Sequence, residues 1–176
     1  MSVARAMPAE PLGFEALIAD HRGILVKVAA SYAWDPDDRA DLMQEIALQL
    51  WRGWPRYDRT RPFSTWMYRV ALNVAITHRR GAHPAGTHEP LGGEHEALVG
   101  HEDVDAEARD RLELVQATMR SLSALDRALL LLWLEGCSHA ESGEVLGMSE
   151  GNVATRLNRI KQHLRRETAA ATGETR

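Results

Sequence analysis

The stretch SHAESGEVLGMSEGNVATRLNRIKQHLRR, residues 138–166, decides the fold of the C-terminal part of the chain. Ser138 and Glu141 have the spacing of a capping box, so a short helix is expected to begin there. Gly147 suits a turn that needs a positive φ, and the hydroxyl of Ser149 can cap a second helix. Two helices joined by a tight glycine-containing turn form a helix-turn-helix, the motif that seats its second helix in the major groove of DNA.

The second helix of this motif combines an apolar stripe with a basic, polar face. Apolar residues recur at the spacing of one helix face, at Val153, Leu157, Ile160 and Leu164. Residues 151–166 include five Lys or Arg and no Asp or Glu. This balance favours duplex DNA as the partner, with cations on phosphates and amides or hydroxyls on base edges. The alternative is the solvated basic face of an ordinary bundle helix. The polar face comprises Asn152, Thr155, Arg156, Asn158, Arg159 and Lys161.

The composition predicts two small helical domains. With 176 residues, 44% of them apolar, the chain can bury one ordinary core or two small ones. Its longest apolar run, Ala128 to Leu134, is much shorter than the ~20 residues of a membrane span. Cys137 is the only cysteine, so we expect no disulfide framework, and no second Cys or His pair near it has zinc-ligand spacing. The first residues lack the apolar core of a secretory signal, so we expect a cytoplasmic protein without membrane insertion.

The charge is distributed unevenly along the chain. The formal net charge of −4 arises from +2 over residues 1–80, −6 over residues 81–111 and 0 over the remainder. The acidic middle segment begins with a Gly/Pro/His-rich stretch without periodicity, which is typical of a linker. Arginines gather at residues 56–80, and a second basic stripe lies at residues 151–166. Two separated positive surfaces predict two contacts with a polyanion.

Three helices are predicted before the linker. The first runs from Glu15 to Ala33, and the second runs from about Asp37 to Trp54, where Pro55 ends it. The third begins near Phe63 and carries an outward row of polar residues. This outward row consists of Arg69, Asn73 and Arg80, with Tyr68 beside it.

The outward side of the second predicted helix is acidic and amphipathic. It consists of Asp41, Gln44, Glu45 and Leu48. An acidic row does not suit DNA, so these residues form either a protein-binding face or a solvated helix side.

Aromatic residues are interleaved with arginines between Arg56 and Arg80. Stacking of a base on an aromatic ring is worth ~1–3 kcal/mol, so this composition fits melted DNA or a splayed nucleotide. Trp66 has the phase of a core residue, and core packing is the alternative for its ring. Tyr57 lies in a predicted loop and is the better candidate for an exposed ring.

Taken in order, these segments resemble the extracytoplasmic-function group of bacterial RNA polymerase sigma factors. Asp41-Leu-Met-Gln-Glu45, followed by Trp51, looks like the polymerase-binding signature of that family. Phe63-Ser-Thr-Trp66, continuing through Asn73 to Arg79-Arg80, is similar to its promoter-melting helix. Residues 122–166 are similar to its promoter-reading domain, and the order of the three segments matches the family.

The resemblance implies an all-α fold of two small helical domains joined by a flexible acidic linker. Region 2 would cover residues 12–80, the linker 81–105 and region 4 residues 106–168. Core RNA polymerase and promoter DNA, both duplex and melted, are the implied partners. An anti-sigma protein is a further partner that the analogy suggests, and no cofactor or metal is implied.

The resemblance also assigns candidate residues to each contact. Those implied to dock on the polymerase are Asp41, Leu42, Gln44, Glu45 and Leu48. Those implied to hold the −10 element are Arg56, Tyr57, Arg59, Arg61, Trp66, Arg69, Asn73, Arg79 and Arg80. The residues expected at the −35 element come from the resemblance and from the basic helix face described above. They are Ser138, His139, Gly151, Asn152, Ala154, Thr155, Arg156, Asn158, Arg159 and Lys161.

Three sites depart from the family pattern. Ala154 stands where relatives often have a longer, frequently basic residue, and Thr77 stands where many have Asp. Ser142-Gly143 replaces the apolar-Ala pair that is usual in the first motif helix, and glycine in a helix interior costs ~1 kcal/mol relative to alanine. No catalytic constellation is present, so we expect no enzyme activity. The alternative function is a helix-turn-helix regulator that binds duplex DNA without polymerase.

Overall fold

The computed structural model describes the backbone of residues 11–82 and 115–171, and side chains within 13–78 and 115–167. Every regular element in these ranges is a helix, which confirms the all-α prediction. The chain divides into two compact units after Ala75. The first unit holds α1 (Pro11–Asp20), α2 (Arg22–Tyr32), α3 (Pro36–Gly53), a 3-10 turn (Trp54–Arg56) and most of α4 (Phe63–Ala82). The second unit holds α5 (115–121), α6 (Ala124–Leu134), α7 (His139–Leu146) and α8 (Glu150–Ala171).

The single helix predicted from Glu15 to Ala33 is wrong, because the chain breaks at His21. His21 has φ −105° and ψ 15°, and its ring Nδ1 lies 3.0 Å from the Leu17 carbonyl oxygen. The same ring packs edge-on against Phe63, with centroids 5.1 Å apart. These contacts hold His21 outside helical geometry, although the apolar spacing continues across the break.

The beginning of α3 is encoded locally. Asp35 caps the helix, since its carboxylate accepts hydrogen bonds from the backbone N–H groups of Asp37 (2.8 Å) and Asp38 (3.2 Å). Pro36 occupies the first turn, where its missing N–H costs nothing. The guanidinium of Arg39 donates to the carbonyls of Ala33 and Trp34, which fixes the turn between α2 and α3.

The core of the first unit is built from α2, α3 and α4. Its fully buried residues are Val28, Ala29, Leu42, Ile46, Leu50, Met67, Ala71, Leu72 and Ala75. The buried stripe of α3 is therefore at Leu42, Ile46 and Leu50. Tyr68 is also buried in α4, so the prediction that it lies beside the outward polar row is wrong.

The second unit contains the predicted helix-turn-helix. Ser138 and Glu141 form a capping box: the Ser138 N–H donates to Glu141 Oε2 at 2.7 Å, and the Glu141 N–H donates to Ser138 Oγ at 3.2 Å. Gly147 has φ 68°, and Ser149 Oγ accepts from the Asn152 N–H at 3.3 Å. Val153, Leu157 and Ile160 are buried, as the periodicity predicts. The motif is confirmed in each of these details.

Gly143 has a packing role that offsets its poor helix propensity. A Cβ atom at this position would lie 2.6 Å from the Met148 carbonyl oxygen. The turn after α7 therefore approaches the helix closely at this residue, which is one of the uses of glycine in proteins.

Among the described residues, Arg127 has the largest side chain that is fully buried. Its Nε donates to the Met119 carbonyl at 2.7 Å, and its Nη2 donates to the Leu122 carbonyl at 3.3 Å. These carbonyls belong to the end of α5, where backbone acceptors lack helical partners. Arg127 thus satisfies the end of one helix from the interior of the next.

The predicted linker, residues 81–105, lies largely outside the described residues. α4 extends to Ala82, two residues into the predicted linker. The region predicted to begin at residue 106 is described from residue 115 onward, where it is helical. The bounds of the three predicted segments remain predictions.

Candidate nucleic-acid and protein interfaces

The outward side of α3 presents an exposed surface that is both acidic and apolar. Asp41 and Gln44 are exposed, Glu45 is half-buried, and its Oε1 accepts a hydrogen bond from Gln49 at 2.7 Å. Leu48 is 41% exposed. We call Asp41, Gln44, Glu45 and Leu48 the α3 face. Large apolar side chains that remain in water beside polar ones are typical of a protein-binding surface.

The structure changes two assignments on α3. Leu42, predicted to dock on the polymerase, is completely buried between α3 and the rest of the core, so that assignment is wrong for a surface contact. Trp51 is 46% exposed and lies at helical spacing from Leu48, on the same side as the α3 face. Trp51 follows the segment that resembles the polymerase-binding signature, but the sequence does not predict that its ring is exposed.

An aromatic cluster lies directly beside this surface. It consists of Phe14, Trp51, Trp54, Tyr57, Phe63 and Trp66. Trp54 stacks on Tyr57 with centroids 5.4 Å apart and planes at 19°, and it also contacts Phe14 at 5.3 Å. Ring packing therefore runs from the edge of the α3 face to the loop after the 3-10 turn. Trp54, predicted from the sequence as the inward-facing end of the second helix, is the centre of the cluster.

Tyr57 does not have the free ring that its loop position predicts. It is half-buried, and its ring lies 4.9 Å from that of Trp66 and 5.6 Å from that of Phe63. Its hydroxyl donates to the Arg61 carbonyl at 2.6 Å. Trp66 is likewise half-buried. Its ring is neither fully in the core nor fully exposed, the two environments that the sequence offers for it.

The loop that carries three of the candidate arginines is internally bonded. Asp58 Oδ1 accepts from the Thr60 hydroxyl at 2.7 Å and from the Thr60 N–H at 3.0 Å, and these hydrogen bonds lower the pKa of Asp58. The Arg59 guanidinium lies 5.5 Å from the Trp54 ring centroid, a cation–π distance. Exposed cations on a loop of defined conformation suit contacts with a nucleic-acid backbone. The exposed cations are Arg56, Arg59 and Arg61.

The outward row of α4 is present in part. Arg69 and Asn73 are exposed and lie one turn apart on the same side of the helix. The side chains of Arg79 and Arg80 lie outside the described residues, so their candidate roles stay predictions.

The exposed face of α8 carries most of the residues predicted to read duplex DNA. Thr155 also donates its hydroxyl to the Gly151 carbonyl at 2.9 Å, and Ala154 is half-buried. At the start of α7, the capping residue Ser138 is exposed with its hydroxyl engaged in the capping box, and the first helical residue, His139, is half-buried. The exposed members on α8 are Gly151, Asn152, Thr155, Asn158 and Arg159.

Two predicted cations of α8 point back toward α6. Arg156 Nη1 donates to Asp126 Oδ1 at 2.6 Å, and Lys161 Nζ lies 4.3 Å from the ring centroid of Trp133. Both are half-buried. They differ in this respect from Arg159, which is exposed. Neither Asp126 nor Trp133 is a candidate site residue from the sequence, because their α8 partners lie 30 and 28 positions away.

No metal centre is evident in the described ranges: within 11–82 and 115–171, no three His, Cys, Asp or Glu side chains are grouped as metal ligands. Burial raises the pKa of the Cys137 thiol, and the nearby carboxylates of Glu141 and Glu135 raise it further.

None of the described helices is both long and apolar enough to span a membrane.

Comparison with known proteins identifies the class. Residues 17–83 match the sigma-70 region 2 family, and residues 112–164 match the sigma-70 region 4 family. The chain is 30% identical over 171 residues to the RNA polymerase sigma factor CnrH of Cupriavidus metallidurans, covering 92% of this chain and 89% of CnrH. It is 32% identical over 169 residues to the ECF RNA polymerase sigma factor SigL of Mycobacterium tuberculosis, covering 93% of each.

Solved structures share the fold. CnrH in complex with the cytosolic domain of CnrY has a TM-score of 0.67 at 23% identity, covering 95% of this chain and 92% of that one. The sigma factor RpoE of Bartonella quintana in complex with the anti-sigma factor NepR has a TM-score of 0.70 at 18% identity, covering 89% of this chain and 96% of that one. The chain belongs to the extracytoplasmic-function group of the sigma-70 family, and it is a transcription initiation factor. The region 2 match in its N-terminal half argues against an ordinary helix-turn-helix regulator.

Proposed function

We propose that this chain binds core RNA polymerase through the α3 face together with Trp51, and that the complex then engages promoter DNA at two elements. The observation that carries the proposal is the position of this exposed acidic and apolar surface beside an arginine-rich loop on one compact unit. A regulator that binds only duplex DNA has no need of both an acidic, apolar docking surface and an arginine-rich loop on one unit. The chain itself makes or breaks no covalent bond in this role.

At the −10 element, the loop at residues 55–62 and the outward row of α4 would hold the melted strand. The support is the set of exposed arginines at Arg56, Arg59 and Arg61, together with Arg69 and Asn73. Because the aromatic rings beneath the loop pack on one another, we assign them first to holding the loop in shape. Base stacking would use the exposed edges of Tyr57 and Trp66.

At the −35 element, α8 would lie in the major groove. Exposed Asn152, Thr155 and Asn158 offer amide and hydroxyl groups to base edges, and Arg159 offers a cation to phosphate. One small helix-turn-helix makes few contacts, so it should bind weakly by itself and with a salt-dependent affinity. Tethering to the polymerase would supply the missing affinity.

We propose region 2 at residues 12–80, a linker at 81–105 and region 4 at 106–168, consistent with the family matches at 17–83 and 112–164. Since polymerase and chromosome are cytoplasmic in bacteria, the chain would act there. An anti-sigma protein is an additional proposed partner, because the related RpoE was solved with one.

The direct test is run-off transcription by core RNA polymerase with and without the purified chain, on promoter fragments selected from a randomised library. Promoter-specific transcripts that depend on the chain are expected. Gln44→Ala with Glu45→Ala should abolish retention of the chain on immobilised core polymerase while its helical circular dichroism stays unchanged.

The matched control for this test is Glu15→Ala with Asp20→Ala, which removes exposed carboxylates from α1. The control should bind core polymerase like the unmodified chain. Equal retention of both double variants would contradict the assignment of the α3 face, and failure of the unmodified chain to bind would contradict the proposed function as a whole.

A further inference from the structure

Both ends of α6 hold a cation of α8. Asp126, in the first turn of α6, accepts a 2.6 Å hydrogen bond from Arg156, and the ring of Trp133, near the end of α6, lies 4.3 Å from the ammonium of Lys161. The side chains of Arg156 and Asp126 are only 35% and 27% exposed. The ion pair joins residues that are 30 positions apart in the chain, so it fixes one helix on another.

The carboxylate of Asp126 is itself held in place. Ser123 Oγ donates to Asp126 Oδ2 at 2.7 Å and accepts from the Asp126 N–H at 3.1 Å. One carboxylate oxygen is thus used by the helix cap and the other by Arg156. A charge-assisted hydrogen bond of this length on an oriented carboxylate is stronger than a bond between neutral groups.

Arg159 lies one turn further along α8 and behaves differently. It is exposed, and it lines a cleft of about 280 Å³ with Arg156, Asp126, Ser121 and His163. Ser121 Oγ and His163 Nε2 are 3.3 Å apart at the other side of this cleft. Neighbouring arginines on one helix therefore have different electrostatic surroundings: the charge of Arg156 is balanced by a carboxylate in contact with it, whereas Arg159 faces solvent.

We propose that Asp126 is a positioning residue for promoter recognition: it withdraws Arg156 from phosphate contact and uses it to set α8 on α6, so that Arg159 makes the phosphate contact. This inference rests on the proposed function, in which α8 binds the −35 element. A half-buried cation in a 2.6 Å contact with an oriented carboxylate gains little by moving to a phosphate, because that carboxylate then loses its partner. It therefore does not contribute to the counterion release that sets the salt dependence of DNA binding.

The test measures the affinity of holoenzyme for a selected promoter duplex as a function of salt concentration. Arg159→Ala should reduce the slope of log affinity against log salt by about one, whereas Arg156→Ala should leave the slope unchanged. Asp126→Asn should increase the slope by about one, because the released Arg156 then reaches a phosphate. Combining Asp126→Asn with Arg156→Ala should restore the original slope, which separates release of Arg156 from a general loss of negative charge.

Thermal unfolding of the free chain gives a second readout that needs no DNA. Asp126→Asn and Arg156→Ala should each lower the unfolding midpoint of the second unit by about 3 °C, and the double variant should lower it no further. Asp126→Glu should recover both the midpoint and the slope. Glu167→Gln and Arg166→Ala, which alter exposed charges on α8, are the matched controls and should leave the midpoint unchanged.

A reduction of the slope by about one in Arg156→Ala would overturn the inference, since Arg156 would then be a phosphate contact. Additive losses in the unfolding cycle would overturn it as well. A chain that forms no holoenzyme would instead contradict the proposed function, and the two failures are distinguishable because the unmodified protein serves as the reference in every measurement.

Discussion

The ring of Tyr57 lies 4.9 Å from the ring of Trp66, and the planes meet at 38°. Two residues that the sequence offers as separate stacking platforms are thus packed on each other. Trp54 and Phe63 contact both of them. Substitution of one ring therefore disturbs the shape of the arginine-bearing loop as well as any contact with a base.

Tyr57→Phe and Tyr57→Ala separate these two effects. Tyr57→Phe keeps the ring but removes the 2.6 Å hydrogen bond to the Arg61 carbonyl, so we expect a severalfold shorter open-complex lifetime. Tyr57→Ala also removes the ring and should shorten the lifetime by tenfold or more, by about the worth of one stacked base. Permanganate reactivity of promoter thymines measures the melted state. Retention on core polymerase is the control and should not change; identical lifetimes for all three proteins would contradict a role of Tyr57 in holding the strand.

Leu42 and Leu48 lie six residues apart on one helix, and their truncation should affect different properties: stability for Leu42 and polymerase binding for Leu48. Leu42→Ala leaves a cavity in the core and should lower the free energy of unfolding of the first unit by about 2–5 kcal/mol. Leu48→Ala should change stability by less than about 0.5 kcal/mol but weaken binding to core polymerase at least fivefold, about 1 kcal/mol. Urea denaturation and fluorescence anisotropy measure the two quantities. A Leu48→Ala protein that binds normally would remove Leu48 from the interface.

Arg127 should prove essential to the stability of the second unit. Arg127→Met keeps the unbranched apolar stem of the side chain but leaves the carbonyls of Met119 and Leu122 without their buried donor. We expect a loss of about 3 kcal/mol in the free energy of unfolding of that unit. Calorimetry of the full chain measures it, and the first unit serves as the internal reference because it should melt as before. A midpoint within 1 °C or so of the original would show that those carbonyls need no donor.

The capping box makes part of the stability of the second unit dependent on pH. Two hydrogen bonds of Ser138 lower the pKa of Glu141 below its ordinary value of 4.5. The backbone N–H has the larger effect, and the hydroxyl has the smaller one. A carboxyl group with a lowered folded pKa stabilises the fold above its unfolded pKa, and this contribution is lost as the pH falls through the folded value. Thermal melts should therefore show a loss of stability below about pH 4.5, and Glu141→Gln should remove part of that loss.

Ser138→Ala gives an independent check of the same box. It should raise the pKa of Glu141 toward its ordinary value, measured by NMR titration, and cost ~1 kcal/mol of stability near neutral pH. An unchanged Glu141 titration in this variant would mean that another group holds the carboxylate.

The helix-turn-helix was predictable in detail because its signals are local. The Ser138–Glu141 box, the positive φ of Gly147 and the cap at Ser149 each involve residues within four positions of one another. The apolar period of α8 needs only that the helix lie on a core, whichever core it is. The start of α3 at Asp35 and Pro36 is of the same kind.

The predictions that failed concern choices between similar local options. The apolar spacing from Phe14 to Tyr32 is continuous, yet His21 leaves helical geometry because its ring is held by the Leu17 carbonyl and by Phe63 from another helix. The apolar spacing of the second helix predicts Met43 as an inward residue, but its neighbour Leu42 is the one that is completely buried, and Met43 is half-buried. Tyr57 and Tyr68 have polar hydroxyls that suit a surface, but neighbouring elements cover their rings.

By itself, the sequence determined the all-helical class, the position of the DNA-reading motif and the set of charged residues available for binding, because capping, periodicity and charge are properties of short segments. Only the tertiary structure decided which members of that set remain free to bind. Asp126 reaches Arg156 and Trp133 reaches Lys161 because α6 crosses α8, and no pattern within either helix specifies that crossing. A side chain's partner depends on which helices meet, and that depends on how the whole core of the unit packs.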